Sequence, residues 1–230
     1  MRISVVIPCR DDADLLDACL TALEAGGRAP DEVLVVDNGS RDGSAAVARR
    51  HGARVVVEPV RGVARATARG FDEAHGELLA RLDADSLPGP DWLQRVEAAF
   101  AADPGLAALT GPGRFYGAPA VVRLLGRGLY LGAYFVLMRP LLGHPPLFGS
   151  NLALPAAGWR RVRHRVHRDD PEVHDDLDLA FALGRRVRVR YDRTLVVGVS
   201  ARPFASWAGF WRRIRMAFHT LRLGLAGPSR

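Results

Sequence analysis

The chain of 230 residues contains no lysine, so all 32 of its basic residues are arginines. That absence excludes Schiff-base catalysis, a Walker-type phosphate loop and nucleotidyl transfer built on a signature lysine. Cysteine is scarce as well. Cys9 falls at the end of an expected strand and Cys19 in the helix after it, which suits reduced thiols in the cytoplasm better than a disulfide framework. No signal peptide is expected, because the N-terminus enters a strand-like run at Ile3–Ile7 and meets acids by residue 11. Internal repeats, low-complexity segments and a domain linker are also missing, and with 48% apolar residues the chain can bury one substantial core.

Acidic charge is thin in the second half. Residues 1–100 hold 12 Arg against 17 acids, a net of −5, whereas residues 101–230 hold 20 Arg against 8 acids, a net of +12. A basic half of this size can face nucleic acid, an anionic membrane or a phosphorylated substrate. The segments 160–168 and 212–222 carry much of it, without the interleaved stacking aromatics or the recognised module that nucleic-acid binding uses. No nucleic-acid partner is expected.

What the first half does have is alternation. Apolar, β-branched runs at Ile3–Ile7, Val33–Val36, Arg54–Val57 and Leu78–Leu82 are separated by Ala-rich amphipathic stretches near 12–25, 43–51, 63–75 and 91–102. This order predicts an α/β fold, a mostly parallel sheet with helices on both faces. Such sheets bind ligands beyond the carboxyl ends of their strands. There the sequence reads Pro8-Cys9-Arg10-Asp11-Asp12, Asp37-Asn38-Gly39-Ser40 and Asp83-Ala84-Asp85, so acids gather where a ligand belongs. The Gly-x-Gly-x-x-Gly turn that a dinucleotide-dependent oxidoreductase needs after its first strand is absent.

After Gly111 the alternation is lost. Within 119–147, Arg123, Arg127, Arg139 and Pro140 interrupt an apolar stretch whose longest uncharged run, Gly128–Met138, is too short to span a bilayer. An interfacial or partly buried helix pair is the expectation. A loop at Gly149-Ser150-Asn151, an Arg/His-rich stretch at 159–168, an acidic helix start at Asp175 and two short strands near 187–191 and 195–199 follow. Over 201–230, Phe204, Trp207, Trp211, Ile214, Phe218, Leu221 and Leu225 recur at intervals of three and four, the stripe of a basic amphipathic helix. Two fates suit it: an interfacial membrane anchor, or packing of the stripe on the core with the arginines in water.

Asp83 and Asp85 follow an apolar strand, and residues i and i+2 of extended backbone point to one side. Two carboxylates so placed suit a hard divalent cation, Mg²⁺ or Mn²⁺, completed by phosphate oxygens, although an isolated Asp-x-Asp is more often an acidic loop. Context reverses that weighting. Val5 to Asp12, Val35-Val36-Asp37-Asn38-Gly39-Ser40-Arg41-Asp42-Gly43-Ser44, Gly62-Val63-Ala64-Arg65, Leu82-Asp83-Ala84-Asp85, Gly149-Ser150-Asn151 and Asp175-Asp176-Leu177-Asp178-Leu179, in this order, resemble the family 2 glycosyltransferases of the GT-A fold over roughly residues 1–200.

The resemblance implies an inverting, metal-dependent glycosyltransferase with a Rossmann-like sheet. Its donor is a nucleoside-diphosphate sugar whose diphosphate rests on Mg²⁺ or Mn²⁺ held by Asp85, with Asp83 assisting directly or through water. Asp37 would accept hydrogen bonds from the base or ribose, Pro8 (through nearby backbone) and Asp12 would contact the nucleoside, and Asn151 the acceptor or diphosphate. Asp176, second of the acid pair, would be the general base. Plainer readings compete: Asp12 and Asp175–Asp178 as acids favoured by a helix dipole, and Asn151 as a turn residue. Family members usually carry Arg-Asn where this chain has Thr67-Ala68. Either Arg65 or Arg69 replaces that arginine, or both are solvated charges. No histidine has metal-ligand spacing in a credible context; His174 and His219 are the two worth watching.

The expected organisation is a catalytic domain over 1–200, its nucleotide-sugar half over 1–110 and its acceptor half over 111–200, followed by the basic helix over 201–230. A lipid-linked acceptor such as a polyprenyl phosphate, and a place at the inner face of the cell membrane, go with that helix. The opposing expectation is a catalytically degenerate, membrane-bound scaffold that keeps the fold, for which Thr67-Ala68 is the hint.

Overall fold

Residues 1–119, 132–202 and 207–226 are described by the computed structural model, the side chains of Ala208 and Phe210 excepted. The four apolar runs of the first half form β1 (Ile3–Cys9), β2 (Glu32–Asp37), β3 (Arg54–Val57) and β4 (Leu78–Arg81), parallel and ordered β3-β2-β1-β4. Every residue of β1 is buried. Because successive strand side chains point to opposite faces, β1 feeds two cores. Ile3, Val5 and Ile7 pack with Leu16 and Leu20 of α1 (Ala13–Glu24), Val47 of α2 (Ser44–Arg50) and Val96 of α4 (Trp92–Ala102). Val6 joins Leu34 and Val36 against Ala66 and Phe71 of α3 (Val63–Glu73). The predicted helices over the sheet thus form on both faces.

The sheet continues through an antiparallel strand, β8 (Leu152–Pro155), to β6 (Ala108–Thr110) and β9 (Val189–Tyr191), giving the seven-stranded order β3-β2-β1-β4-β8-β6-β9. The halves expected on either side of residue 110 therefore share one sheet. Register pairs Arg81 with Leu152. The chain leaving β4 at Asp83-Ala84-Asp85 and the chain entering β8 through Gly149-Ser150-Asn151 consequently meet at one edge.

A second sheet has β10 (Val197–Ser200) between β5 (Ser86–Pro88) and β7 (Gly113–Tyr116), and it contributes Phe115, Val197 and Val199 to the core of α1 and α4. β5 starts directly after Asp85, and Val199 lies opposite Ser86. This pairing brings the chain leaving β10, Ala201-Arg202, back beside Asp85. On the other face of the large sheet, Trp159 of α6 (Ala156–Val162) and Leu177 and Ala180 of α7 (Asp175–Leu183) complete the second core.

The uncharged run at Gly128–Met138 lies outside the described residues as far as 131; from Gly132 it belongs to α5 (Gly132–Leu142), where Val136 and Leu137 are exposed. The last helix, α8 (Trp207–Ala226), packs on α7 by the side opposite to its apolar stripe. Thr220 is buried and its Oγ1 accepts the His174 backbone N–H at 2.8 Å, while at Gly224 a Cβ would meet the Phe181 ring at 2.4 Å. The stripe faces outward, with Trp207 79%, Trp211 61%, Phe218 64% and Leu225 56% exposed. Of the two fates expected from the sequence, packing on the core holds for α8 itself but not for most of its stripe, in which Ile214 and Leu221 are half-buried: small residues that let backbones approach closely, and a hydroxyl with a backbone partner, decide which side of α8 docks. Phe204 lies outside the described residues. Among the described residues no helix is long and apolar enough to cross a membrane.

Candidate active site

Parallel strands deliver their carboxyl ends to one edge, and the loops there clamp one another. Asp11 takes a left-handed conformation, φ 52°, which lets its N–H reach Ser40 Oγ at 3.1 Å while its carboxylate accepts the Arg41 N–H at 2.7 Å. Asp42 accepts from the N–H groups of Ala13 and Ser44, both at 3.0 Å, and so ties the starts of α1 and α2 together. Asp37, at the end of β2, accepts the Ser40 N–H at 2.9 Å and stays half-buried at the edge. Pro8 is buried inside β1 opposite Val36, one register pair before Cys9 and Asp37.

Both oxygens of Asp83 are engaged. Oδ1 accepts from Arg81 at 2.8 Å and Oδ2 from Ser150 Oγ at 2.6 Å. Arg81 ends β4, is 2% exposed, and also pairs with Asp175 at 2.7 Å. Gly149 lies so close over its guanidinium that a Cβ would meet Nη1 at 2.9 Å. Asp85 is held differently. Its carbonyl accepts the Tyr116 hydroxyl at 2.8 Å, and its carboxylate meets the Arg202 guanidinium at 3.2 Å. That guanidinium also bonds both oxygens of Asp12. Burial pushes the Asp85 carboxyl up to about 6, the charge of Asp83 adds to this, and Arg202 offsets it only in part. A half-buried, under-neutralised carboxylate beside a second one is a fitting seat for a hard divalent cation, and the protein's own Arg202 is drawn into the same place. Asp85 can present an oxygen to Mg²⁺ or Mn²⁺. Asp83, with both oxygens committed, can contribute its charge or a water-bridged contact.

The three acids that open α7 have three different situations. Asp178 accepts the N–H of His167 at 2.6 Å and meets its Nδ1 at 2.7 Å, which fixes the preceding loop. Asp175 pairs with Arg81 and accepts the Thr67 hydroxyl at 2.8 Å. The departure at Thr67 thus places a hydroxyl on the acid pair. Asp176 accepts the Gly149 N–H at 2.8 Å and lies 3.1 Å from His174 Nδ1. Burial alone would raise its pKa, yet the His174 bond, the Arg81 charge and the Gly149 N–H hold it below the ordinary carboxylate range. The partnership raises the pKa of His174 in turn, against the lowering effect of its burial. His174, Asp175 and Asp176 bring ligand atoms within 4.8 Å of one another. Arg81, Thr67 and backbone N–H groups already answer the charges of the two acids.

Two of the residues expected at the ligand are engaged elsewhere in this structure. Asn151 is wholly buried: its Oδ1 accepts Trp92 Nε1 at 2.9 Å and its Nδ2 donates to the Leu195 carbonyl at 2.6 Å, so its amide pins the second sheet to the first and has no face left for a ligand. Arg65 pairs with Asp169 at 2.8 Å, on the loop before α7. Arg69 pairs with Glu73 at 3.0 Å along its own helix, as a solvated helix charge does. His219 bonds Asp170 at 2.7 Å and fastens α8. Sequence reasoning missed Arg81, Ser150 and Arg202. Arg81 had a signal, a charge inside the apolar run Leu78–Leu82, which burial obliges to find a partner. Arg202 had none among the 20 arginines of the basic half.

The model of Glycosyl transferase family 2 matches residues 4–145. An uncharacterized glycosyltransferase of Mycobacterium bovis is 41% identical over 109 residues, 47% of this chain and 47% of the relative. An undecaprenyl-phosphate 4-deoxy-4-formamido-L-arabinose transferase of Pseudomonas aeruginosa is 37% identical over 105 residues, 41% of this chain and 31% of that protein. The match to the mycobacterial relative thus takes in about half of each chain. Among solved structures, glucosyl-3-phosphoglycerate synthase from Mycobacterium tuberculosis, in complex with Mn²⁺, UDP-glucose and phosphoglyceric acid, superposes with a TM-score of 0.69 at 21% identity over 96% of this chain and 79% of that one. At that identity the likeness speaks for the fold, a GT-A sheet with its accompanying helices. With the family model covering most of the chain and the carboxylate edge in the place the fold assigns to ligands, the chain belongs to family 2 of the glycosyltransferases.

Proposed function

We propose that the chain transfers a sugar, with inversion, from a nucleoside-diphosphate sugar to an acceptor hydroxyl or lipid phosphate. The observation that carries this reading is the convergence of Asp12, Asp83 and Asp85 at the strand ends, with the Asp175-Asp176 pair joined to the same edge by two bridges. Arg81 links Asp83 to Asp175, and the Gly149-Ser150 loop links Asp83 to Asp176. Donor and acceptor chemistry are thereby kept in register.

Asp37 and Asp12 are assigned to the nucleoside. Asp85, with the charge of Asp83 behind it, would hold Mg²⁺ or Mn²⁺, which when bound offsets the charge of the departing diphosphate. Asp176 accepts the proton of the acceptor hydroxyl as the acceptor oxygen bonds to the anomeric carbon and the bond to the diphosphate breaks on the opposite side. Its depressed pKa keeps it ionised, as a base must be. An acceptor phosphate, already anionic, would not need that proton transfer.

The acceptor side of the reading is a lipid-linked substrate at an anionic membrane surface, on the inner face of the cell membrane. Its support is the largely exposed stripe of α8 with Arg212, Arg213, Arg215 and Arg222 on the same helix, and the lipid phosphate for which the Pseudomonas relative is named. Titration calorimetry with UDP and GDP, each with and without Mn²⁺, followed by transfer assays on a nucleotide-sugar panel, tests the whole. Metal-dependent binding of at least one nucleotide is expected. No binding to any of them would favour a scaffold that kept only the fold.

A further inference from the structure

Arg202 is unlike the other charged residues of the carboxylate edge. Its backbone is fixed: Ala201 N–H donates to the Tyr116 carbonyl at 3.0 Å, and the Tyr116 hydroxyl holds the Asp85 carbonyl at 2.8 Å, so one tyrosine sets both ends of the contact. Its side chain is 51% exposed and reaches Asp85 at 3.2 Å and both oxygens of Asp12. Arg81, the other arginine beside the Asp-x-Asp motif, is 2% exposed and committed to Asp83 and Asp175. Among the described residues, then, one guanidinium is anchored at its root, half exposed at its tip, and shared between the carboxylate proposed for the metal and the one proposed for the nucleoside.

We infer that Arg202 is a movable cation of the donor site, occupying the carboxylates of Asp85 and Asp12 before the metal arrives and passing to the donor diphosphate once a divalent ion has taken Asp85. The inference rests on the donor-site reading above and adds a residue to it. The physical reason is charge. A guanidinium and a divalent ion cannot share one half-buried carboxylate oxygen without strong repulsion. The displaced guanidinium, tethered at Ala201, remains beside the same strand ends, where a diphosphate offers the paired anionic oxygens that the guanidinium fork suits better than any other side chain. Arg202 therefore opposes metal in the absence of nucleotide and supports metal and nucleotide together.

Those two effects have opposite signs, and the experiment uses this. In the full chain and in Arg202→Gln, Mn²⁺ binding is measured by electron paramagnetic resonance of the free ion with Mn²⁺ alone, and binding of UDP or GDP at saturating Mn²⁺ is then measured by titration calorimetry. Thermal unfolding checks that the variant is folded. Loss of the competitor is expected to tighten Mn²⁺ binding about 2- to 5-fold, the worth of a partly exposed ion pair. Loss of charge-assisted hydrogen bonds is expected to weaken nucleoside-diphosphate binding about 10- to 100-fold. Arg202→Lys, which keeps charge without the fork, should fall between. A folded variant in which both affinities are unchanged, or both fall, overturns the inference. If wild type binds Mn²⁺ but neither nucleotide, the donor-site reading fails, and with it the diphosphate half of the role. The Mn²⁺-alone titration then still decides whether Arg202 competes for Asp85.

Discussion

Replacing Asp85 by asparagine should stabilise the metal-free protein while abolishing its response to metal. The Asp85 carboxyl is raised from 3.8 to about 6, chiefly by burial. A folded-state pKa above the unfolded one means that the contribution of this group is fully present below about 3.8 and is lost as pH rises through about 6. At neutral pH the ionised carboxylate therefore costs the folded state up to about 3 kcal/mol, at about 1.4 kcal/mol for each pH unit of the shift. Its side chain is only 18% exposed, so solvent screens little of this. Asparagine keeps the shape and removes the charge. For a chain of this size each kcal/mol moves Tm by about 2–4 °C, so the variant should melt about 3–10 °C higher in EDTA at pH 7.5. The gap should close toward pH 4. Differential scanning calorimetry of both proteins, at both pH values, with EDTA and with Mn²⁺, reads the effect. Mn²⁺ should raise the Tm of the wild type alone. A variant no more stable than wild type in EDTA, a gap that widens on acidification, or equal stabilisation of both proteins by Mn²⁺ would refute the assignment of Asp85 as a strained cation seat.

Asp176→Asn should keep donor affinity in calorimetry and lower transfer to a hydroxyl acceptor by about 10²–10⁴; a fall below tenfold with measurable turnover would mean either another base or an acceptor that is already an ionised phosphate. Asn151→Ala strands the Trp92 indole N–H and the Leu195 carbonyl in the core, so denaturant unfolding should show a loss of about 2–5 kcal/mol, with nucleotide affinity of the folded protein unchanged. A stable variant with weakened nucleotide binding would restore Asn151 to the ligand site. In co-sedimentation, the chain should bind anionic but not neutral liposomes, release with salt, and lose binding when Trp211 and Phe218 are both replaced by serine. Retention in the supernatant with both liposome types at low salt would remove the membrane from the reading.

The first half of the fold was legible in the sequence because each element carries its own local signal. The short, β-branched apolar run of β1, the amphipathic faces of α1 and α4, and the Asp-Asn-Gly-Ser turn after β2 need no distant partner to be recognised. The acids of the edge were legible for the same reason, since parallel strands put their carboxyl ends together wherever the alternation is unbroken. What the tertiary structure decided are the features that depend on long-range pairing. The antiparallel entry of β8 beside β4 brought Ser150 onto Asp83 and Gly149 onto Asp176. The pairing of β5 with β10 carried Arg202 across the chain to Asp85 and Asp12, contacts between residues 117 and 190 positions apart that no spacing encodes. Asn151, read from its motif as a ligand contact, was claimed by the core once Trp92 and Leu195 closed around it. The stripe of α8 was plain in the sequence, but its direction was not, because periodicity gives a helix its faces and only the partner on the other side, here Phe181 and the His174 backbone, selects which face is buried.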